Sequence, residues 1–141
     1  MYIQICGGSA EREYSGSAFN GCKSLESINF PSTVREVGGG ALFYCSNFRD
    51  VILNEGLQKI GDNAFSYCRS FLECINIPRT VTTIGRETFI NCIHLREVVF
   101  NEGLTRIGKN AFMNCQSLES INVPSTVIKI DDEAFFKCVP V

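Results

Sequence analysis

Six of the eight cysteines in this chain fall at a fixed interval. Cys22, Cys45, Cys68, Cys92, Cys115 and Cys138 are separated by 23, 23, 24, 23 and 23 residues. A period of this length marks a solenoid, in which one repeat cannot bury its own apolar face and stacked repeats share a continuous core. Cutting the chain at the small residue before each aromatic position gives units 18–40, 41–63, 64–87, 88–110 and 111–133, with a partial unit at 134–141. The third unit carries one extra residue, at Ser70 and Phe71, which is expected to bulge one turn. Residues 1–17 fit the repeat poorly and read as an irregular or decayed N-terminal repeat, with Tyr14 at its apolar corner.

Every unit has the same grammar. A segment such as Ala111, Phe112, Met113, Asn114, Cys115 opens it, and a strand-like stretch with Leu118, Ile121 and Val123 follows. A turn leads to a second apolar pair, Val127 and Ile130, and a polar or glycine-rich corner closes the unit. The apolar columns persist along the chain: Leu25, Phe48, Leu72, Leu95, Leu118; Ile28, Val51, Ile75, Val98, Ile121; Phe30, Leu53, Ile77, Phe100, Val123; and, beyond the turn, Val37, Ile60, Ile84, Ile107, Ile130. Large apolar side chains stabilise by roughly 1.5–3 kcal/mol each when fully buried, enough for a shared core once units stack.

A longer period overlies the first. Units one, three and five turn through Pro31, Pro78 and Pro124, each followed two residues on by Thr33, Thr80 or Thr126. Units two and four turn through Asn54, Glu55, Gly56 and Asn101, Glu102, Gly103. The duplicated unit is therefore a pair of repeats. The two turns read as different solutions to one bend, since proline fixes its own φ and glycine permits a positive one.

The pattern Leu25, Ile28, Phe30, Pro31, Ser32, Val34, Val37, Gly38, Ala41, Cys45, recurring five times, resembles the Treponema-type (BspA-like) leucine-rich repeat. The resemblance covers roughly Tyr14 to Cys138. It implies an α/β repeat solenoid over 18–141. That fold is a right-handed superhelix with one strand per turn on a concave parallel sheet, a short second strand, and a short helical turn around Ala-Phe-x-x-Cys. It also implies a protein-binding or adhesion-type scaffold. Two features depart from the commoner leucine-rich repeat. Its Asn/Cys ladder is replaced by Thr33, Gly56, Thr80, Gly103 and Thr126, and the corner glycine is lost at Asp131.

The periodic cysteines lie along a line of rungs about 4.8 Å apart, and a line does not converge on a tetrahedral metal site. Parallel Cβ vectors also suit a disulfide poorly. They read as small buried free thiols, which leans mildly toward a reducing intracellular compartment. Cys74 takes the serine position of its column and is expected to be exposed, with Cys6 outside the series as the other accessible thiol.

The outward positions of the longer strand make the candidate partner-binding face. One column alternates in sign: Glu26, Arg49, Glu73, Arg96, Glu119. This is the pattern of a register-setting charge ladder. The next holds Ser27, Asp50, Cys74, Glu97 and Ser120, and a third alternates amide with aliphatic: Asn29, Ile52, Asn76, Val99, Asn122. Ile52 and Val99 on an exposed face would make a modest apolar stripe. With strands of four or five residues the face offers only about 350 Å², against about 800 Å² per partner in a standard interface. It would bind weakly, through its edges as well, or as part of a longer array.

The function classes narrow accordingly. A net charge of -2 with no basic stripe argues against a nucleic-acid binder. No apolar run has the length to span a bilayer, and the first residues lack the basic and apolar regions of a signal peptide. His94 has no second histidine, Asp131, Asp132 and Glu133 read as a solvated corner, and no nucleophile elbow, phosphate loop or zinc signature occurs. No enzyme activity, metal or cofactor is expected. The expected partner is a protein, with a structural spacer role as the alternative. The chain stops at Val139, Pro140 and Val141 without a capping helix, so end-to-end self-association through the C-terminal rung is also expected.

Overall fold

The computed structural model of the chain describes residues 18–69 and 72–138, and Cys6, Tyr14, the one-residue insertion at Ser70 and Phe71, and Pro140 lie outside them. Two short strands come from each repeat: β1 (Ser27–Asn29), β2 (Glu36–Val37), β3 (Asp50–Ile52), β4 (Lys59–Ile60), β5 (Cys74–Asn76), β6 (Thr83–Ile84), β7 (Glu97–Val99), β8 (Arg106–Ile107), β9 (Ser120–Ile121) and β10 (Lys129–Ile130). All described pairings are parallel. The register sets each column residue against its counterpart one repeat on: Ile28 faces Val51, Val98 faces Ile121, and Val37, Ile60, Ile84, Ile107 and Ile130 follow one another in line.

Three expectations are corrected. The strands are two or three residues long, not four or five. The second strands, β2, β4, β6, β8 and β10, form the one continuous five-stranded sheet, whereas the longer strands split into β1–β3 and β5–β7–β9. The split falls just after residues 70 and 71, where the extra residue lies. The third correction concerns fold class: among the described residues there is no helix, and the Ala-Phe-x-x-Cys segments are turns, so the molecule is a parallel β-solenoid and not an α/β one.

The backbone explains the missing helix. The residue before each of the six periodic cysteines sits in the left-handed region: Tyr44, Tyr67, Asn91, Asn114 and Lys137 have φ of 54–62°, and Gly21 has 70°. The residue before the alanine or threonine that opens a repeat does the same, at Gly40, Asn63, Glu87, Asn110 and Glu133. A left-handed residue at this frequency interrupts any right-handed run. The N–H groups thereby turn along the solenoid axis. Those of Phe65 and Tyr67 donate to the carbonyls of Thr88 and Ile90 in the next rung at 2.8 and 2.9 Å, and Phe89 and Asn91 repeat this one rung later. The corner thus alternates hydrogen bonds between rungs with single local turn bonds, such as Ser66 N–H to the Asn63 carbonyl at 3.2 Å, and no helical run forms.

The core runs unbroken inside these walls. Phe65, Phe89, Phe112 and Phe135 stack nearly parallel, with ring centroids 5.1–5.3 Å apart. Beside them the corner glycines pack backbone on backbone. A Cβ on Gly108 would lie 2.6 Å from Gly85, so the column tolerates no side chain between rungs. At the last rung, where Asp131 replaces the glycine, its carboxylate pairs with Arg106 at 2.7 Å and Lys129 at 3.5 Å. Asp131 is therefore a partnered residue and not simply part of a solvated acidic corner. The Arg106 hydrogen bond and charge hold its pKa below the ordinary value.

Candidate functional site

The outward residues of the longer strands fall in two groups. Glu26, Asn29, Arg49, Asp50 and Ile52 sit on or beside β1 and β3; Glu73, Asn76, Arg96, Glu97, Val99, Glu119 and Asn122 sit on or beside β5, β7 and β9. All are exposed except Asn29, which is half-buried. Ile52 is 54% exposed and Val99 37%. They share one row, but the strand bearing Asn76 lies between theirs. The apolar character is therefore two separate points in a polar row, not a continuous stripe.

The charge column is engaged at its C-terminal half. Arg96 donates to Glu119 at 2.5 Å, and that hydrogen bond, with the charges of Glu119 and Glu73, raises the arginine pKa. The amide row has a second task that the pattern alone did not reveal. Asn29 Oδ1 accepts from Asn54 Nδ2 at 2.9 Å, and Asn76 Oδ1 from Asn101 Nδ2 at 3.1 Å, tying the face to the turn of the next repeat. His94 is exposed at the strand's approach.

The cysteine column is buried, with Cys45, Cys68, Cys92 and Cys115 at 0% exposure. Each thiol does more than fill space. Cys45, Cys68, Cys92, Cys115 and Cys138 donate to the carbonyls of Phe19, Leu42, Phe65, Phe89 and Phe112 in the preceding rung, at 2.8–3.2 Å. Burial pushes Cys45 up to about 11 and Cys92 up to about 12, and raises Cys68 well above the usual thiol range. Contact with Cys138 and burial raise Cys115, while the same contact lowers the more open Cys138. Cys22 corrects the expectation of six free thiols: it is disulfide-bonded. Cys74 is free and exposed, with Sγ 3.9 Å from Glu97 Oε2.

A second exposed apolar surface lies on the corner. Tyr44, 45% exposed, stacks on Tyr67 at 4.7 Å, Phe43 meets both edge-on, and the Arg69 guanidinium sits 5.0 Å from the Tyr67 ring centre. The signal for it was two tyrosines in adjacent units at one column, just before Cys45 and Cys68. Among the described residues no group of three or more His, Cys, Asp or Glu could hold a metal ion, and no helix is long and apolar enough to cross a membrane.

Stacked parallel strands with one apolar column set per 23–24 residues define a leucine-rich repeat solenoid. The model of the BspA type leucine rich repeat region matches residues 13–141 in six copies, and the chain belongs to that family. Among solved structures it is similar to a T. pallidum leucine-rich repeat protein, at 28% identity and a TM-score of 0.77 over 90% of this chain. It is also similar to a Bacteroides ovatus leucine-rich repeat protein (29%, TM-score 0.62, 88% of this chain) and to the pneumococcal vaccine antigen PcpA (28%, TM-score 0.73, 81%). The chain spans 63%, 38% and 29% of the lengths of those three proteins. A search of curated proteins found no match.

Proposed function

We propose that this chain is a protein-binding or adhesion-type scaffold module working through its repeat surface, with the outward face of the longer strands as the contact. The observation that carries the reading is the exposure of Ile52 and Val99 in a row of amides beside columns of charged side chains. Apolar points inside a polar field are what an interface core and rim require. The family to which the chain belongs consists largely of interaction scaffolds, and PcpA, one similar protein, is named as a vaccine antigen.

The size of the face favours a second reading, a spacer within a longer protein. With strands of three residues the face shrinks to roughly 240 Å², well under the approximately 800 Å² of a standard interface side. Binding would therefore draw on the Tyr44–Tyr67 corner or on further repeats. The two readings part on one experiment. A partner isolated with the wild-type chain is titrated against Ile52→Ser with Val99→Ser, and against Arg49→Glu with Arg96→Glu, at matched folded fraction. The scaffold reading expects a loss of affinity of tenfold or more in at least one double variant. Unchanged affinity in both would remove this face from consideration and favour the spacer.

A further inference from the structure

The corner column before the cysteines carries two side chains that its backbone does not favour. It reads Gly21, Tyr44, Tyr67, Asn91, Asn114 and Lys137, all at positive φ. Glycine and asparagine enter this region readily, whereas a bulky residue there is strained. Asn91 and Asn114 complete the same turn with amides joined at 3.1 Å, so the turn itself does not call for a ring. Tyr44 and Tyr67 nevertheless occupy it at φ of 59° and 60°, stacked at 4.7 Å and within 7° of parallel. The column is filled on one side of this pair and empty on the other. Asn91 follows Tyr67, but Gly21 precedes Tyr44, and a Cβ on Gly21 would meet nothing within 4 Å. The face of Tyr44 turned away from Tyr67 thus looks onto a position with no side chain, and the residue is 45% exposed.

Two properties of the surroundings narrow what can lie on that face. The first is charge. Residues 20–24, 43–47 and 66–69, the corners of the first three units, hold Lys23 and Arg69 and no acidic residue, in a chain of net charge -2. Both cations are exposed, and among the described residues neither is ion-paired. A cationic ligand would be repelled. The second is the state of the polar side chains. Asn47 Nδ2 donates to the Lys23 carbonyl at 2.6 Å, the Ser66 hydroxyl donates to the Glu87 carbonyl, and Asn91 Oδ1 accepts from Asn114. A sugar ring, which needs directional partners around its rim, loses all three. A nucleic-acid strand needs a track of phosphate contacts and successive stacking platforms, and here there are two cations and one ring face. An aromatic ring with a carboxylate beside it needs only what is present.

We infer that the uncovered face of Tyr44 is a docking point for an aromatic side chain of a protein partner, carried in an acidic segment whose carboxylates meet Lys23 and Arg69. The inference rests on the protein-binding reading but not on the longer-strand face, and it adds a contact outside that face. The incoming ring continues the stack of Tyr44 on Tyr67 at the place that Gly21 leaves empty. Stacked rings attract beyond the area they bury, and tyrosine and arginine are the residue types on which interface affinity concentrates.

The test titrates the isotope-labelled full chain with the N-acetylated, C-amidated tripeptide Glu-Phe-Glu and reads amide chemical shifts. Saturable shifts are expected at Gly21, Tyr44 and Tyr67. Tyr44→Asn places in the column a residue it already accepts at Asn91 and Asn114, and Gly21→Asn covers the platform without touching the tyrosine. Each weakens binding at least tenfold while shifts away from the corner stay in place. The tripeptide Lys-Phe-Lys binds at least tenfold more weakly than Glu-Phe-Glu, and Lys23→Gln with Arg69→Gln removes that preference. Ile52→Ser with Val99→Ser leaves the tripeptide affinity unchanged, so failure of this site and failure of the longer-strand face are read separately. Absence of saturable shifts overturns the inference, as does undiminished binding in both asparagine variants or equal affinity for the two tripeptides. Tighter binding of trigalacturonate or of an oligothymidylate than of Glu-Phe-Glu assigns the platform to an acidic sugar or a nucleic acid and overturns it as well.

Discussion

At the scale of single residues, the thiols show what a periodic column does and does not disclose. Its regularity was enough to place Cys45, Cys68, Cys92 and Cys115 in the interior, because a residue repeated at one point of every rung must share one environment. Their role as donors to the preceding rung's carbonyls was not legible. It depends on the left-handed residue just before each cysteine, and Tyr44, Tyr67 and Lys137 are poor advertisements for that conformation. The disulfide at Cys22 was hidden too, since its sequence position is that of its buried, reduced counterparts. Cys74 offers a direct check. It is the exposed free thiol among the described residues, and partial burial together with the nearby charge of Glu97 raises its pKa. Peptide mapping after brief alkylation of the native protein is expected to find Cys74 modified ahead of Cys45, Cys68, Cys92 and Cys115. At pH 7–8 the reaction speeds up in Glu97→Gln, because losing the carboxylate lowers the thiol pKa and enlarges the thiolate fraction. A slower reaction in that variant would contradict the assignment.

At the scale of the element, strands and turns differ in how much the sequence betrays. The inward columns predicted the register of each described pairing, since one slipped residue would expose a whole column. The helical turn failed because Ala-Phe-x-x-Cys is a compact apolar cluster that suits a helix or a tight corner equally. What decides between them is φ at Asn63, Glu87 and their counterparts, which no apolar pattern records. The alternation of turns was visible, but its reason was not: the bonds from Asn54 and Asn101 cross between repeats and belong to neither alone. Gly103 tests the account. With φ of 129° and the Arg79 carbonyl in the path of any Cβ, Gly103→Ala is expected to cost about 1–3 kcal/mol in chemical denaturation, from backbone strain alone. Gly21 has φ of 70° with nothing within 4 Å of a Cβ, so Gly21→Asn should be nearly neutral. Equal losses at the two sites would show that the close approach at Gly103 does not matter.

At the scale of the whole molecule, the buried thiols link stability to pH. In the unfolded chain they titrate near 9.0; in the folded chain Cys45 holds its proton to about 11 and Cys92 to about 12. Their contribution is fully present below pH 9 and is lost as pH climbs through these higher values, because only the unfolded state releases protons in that window. Each thiol removes about 1.4 kcal/mol per pH unit there. Urea midpoints are therefore expected to fall steadily above pH 9, and less steeply in Cys92→Ala. A flat profile to pH 11 would argue against a dry thiol column. A different consequence follows from the split between β3 and β5. One side of the solenoid is a continuous hydrogen-bonded ribbon through β2, β4, β6, β8 and β10, while the other is cut once. In mechanical terms the molecule is a stiff strip scored on one face. Bending is expected to concentrate at this one crease between the second and third repeats, about the uncut sheet, as a cover turns about its spine.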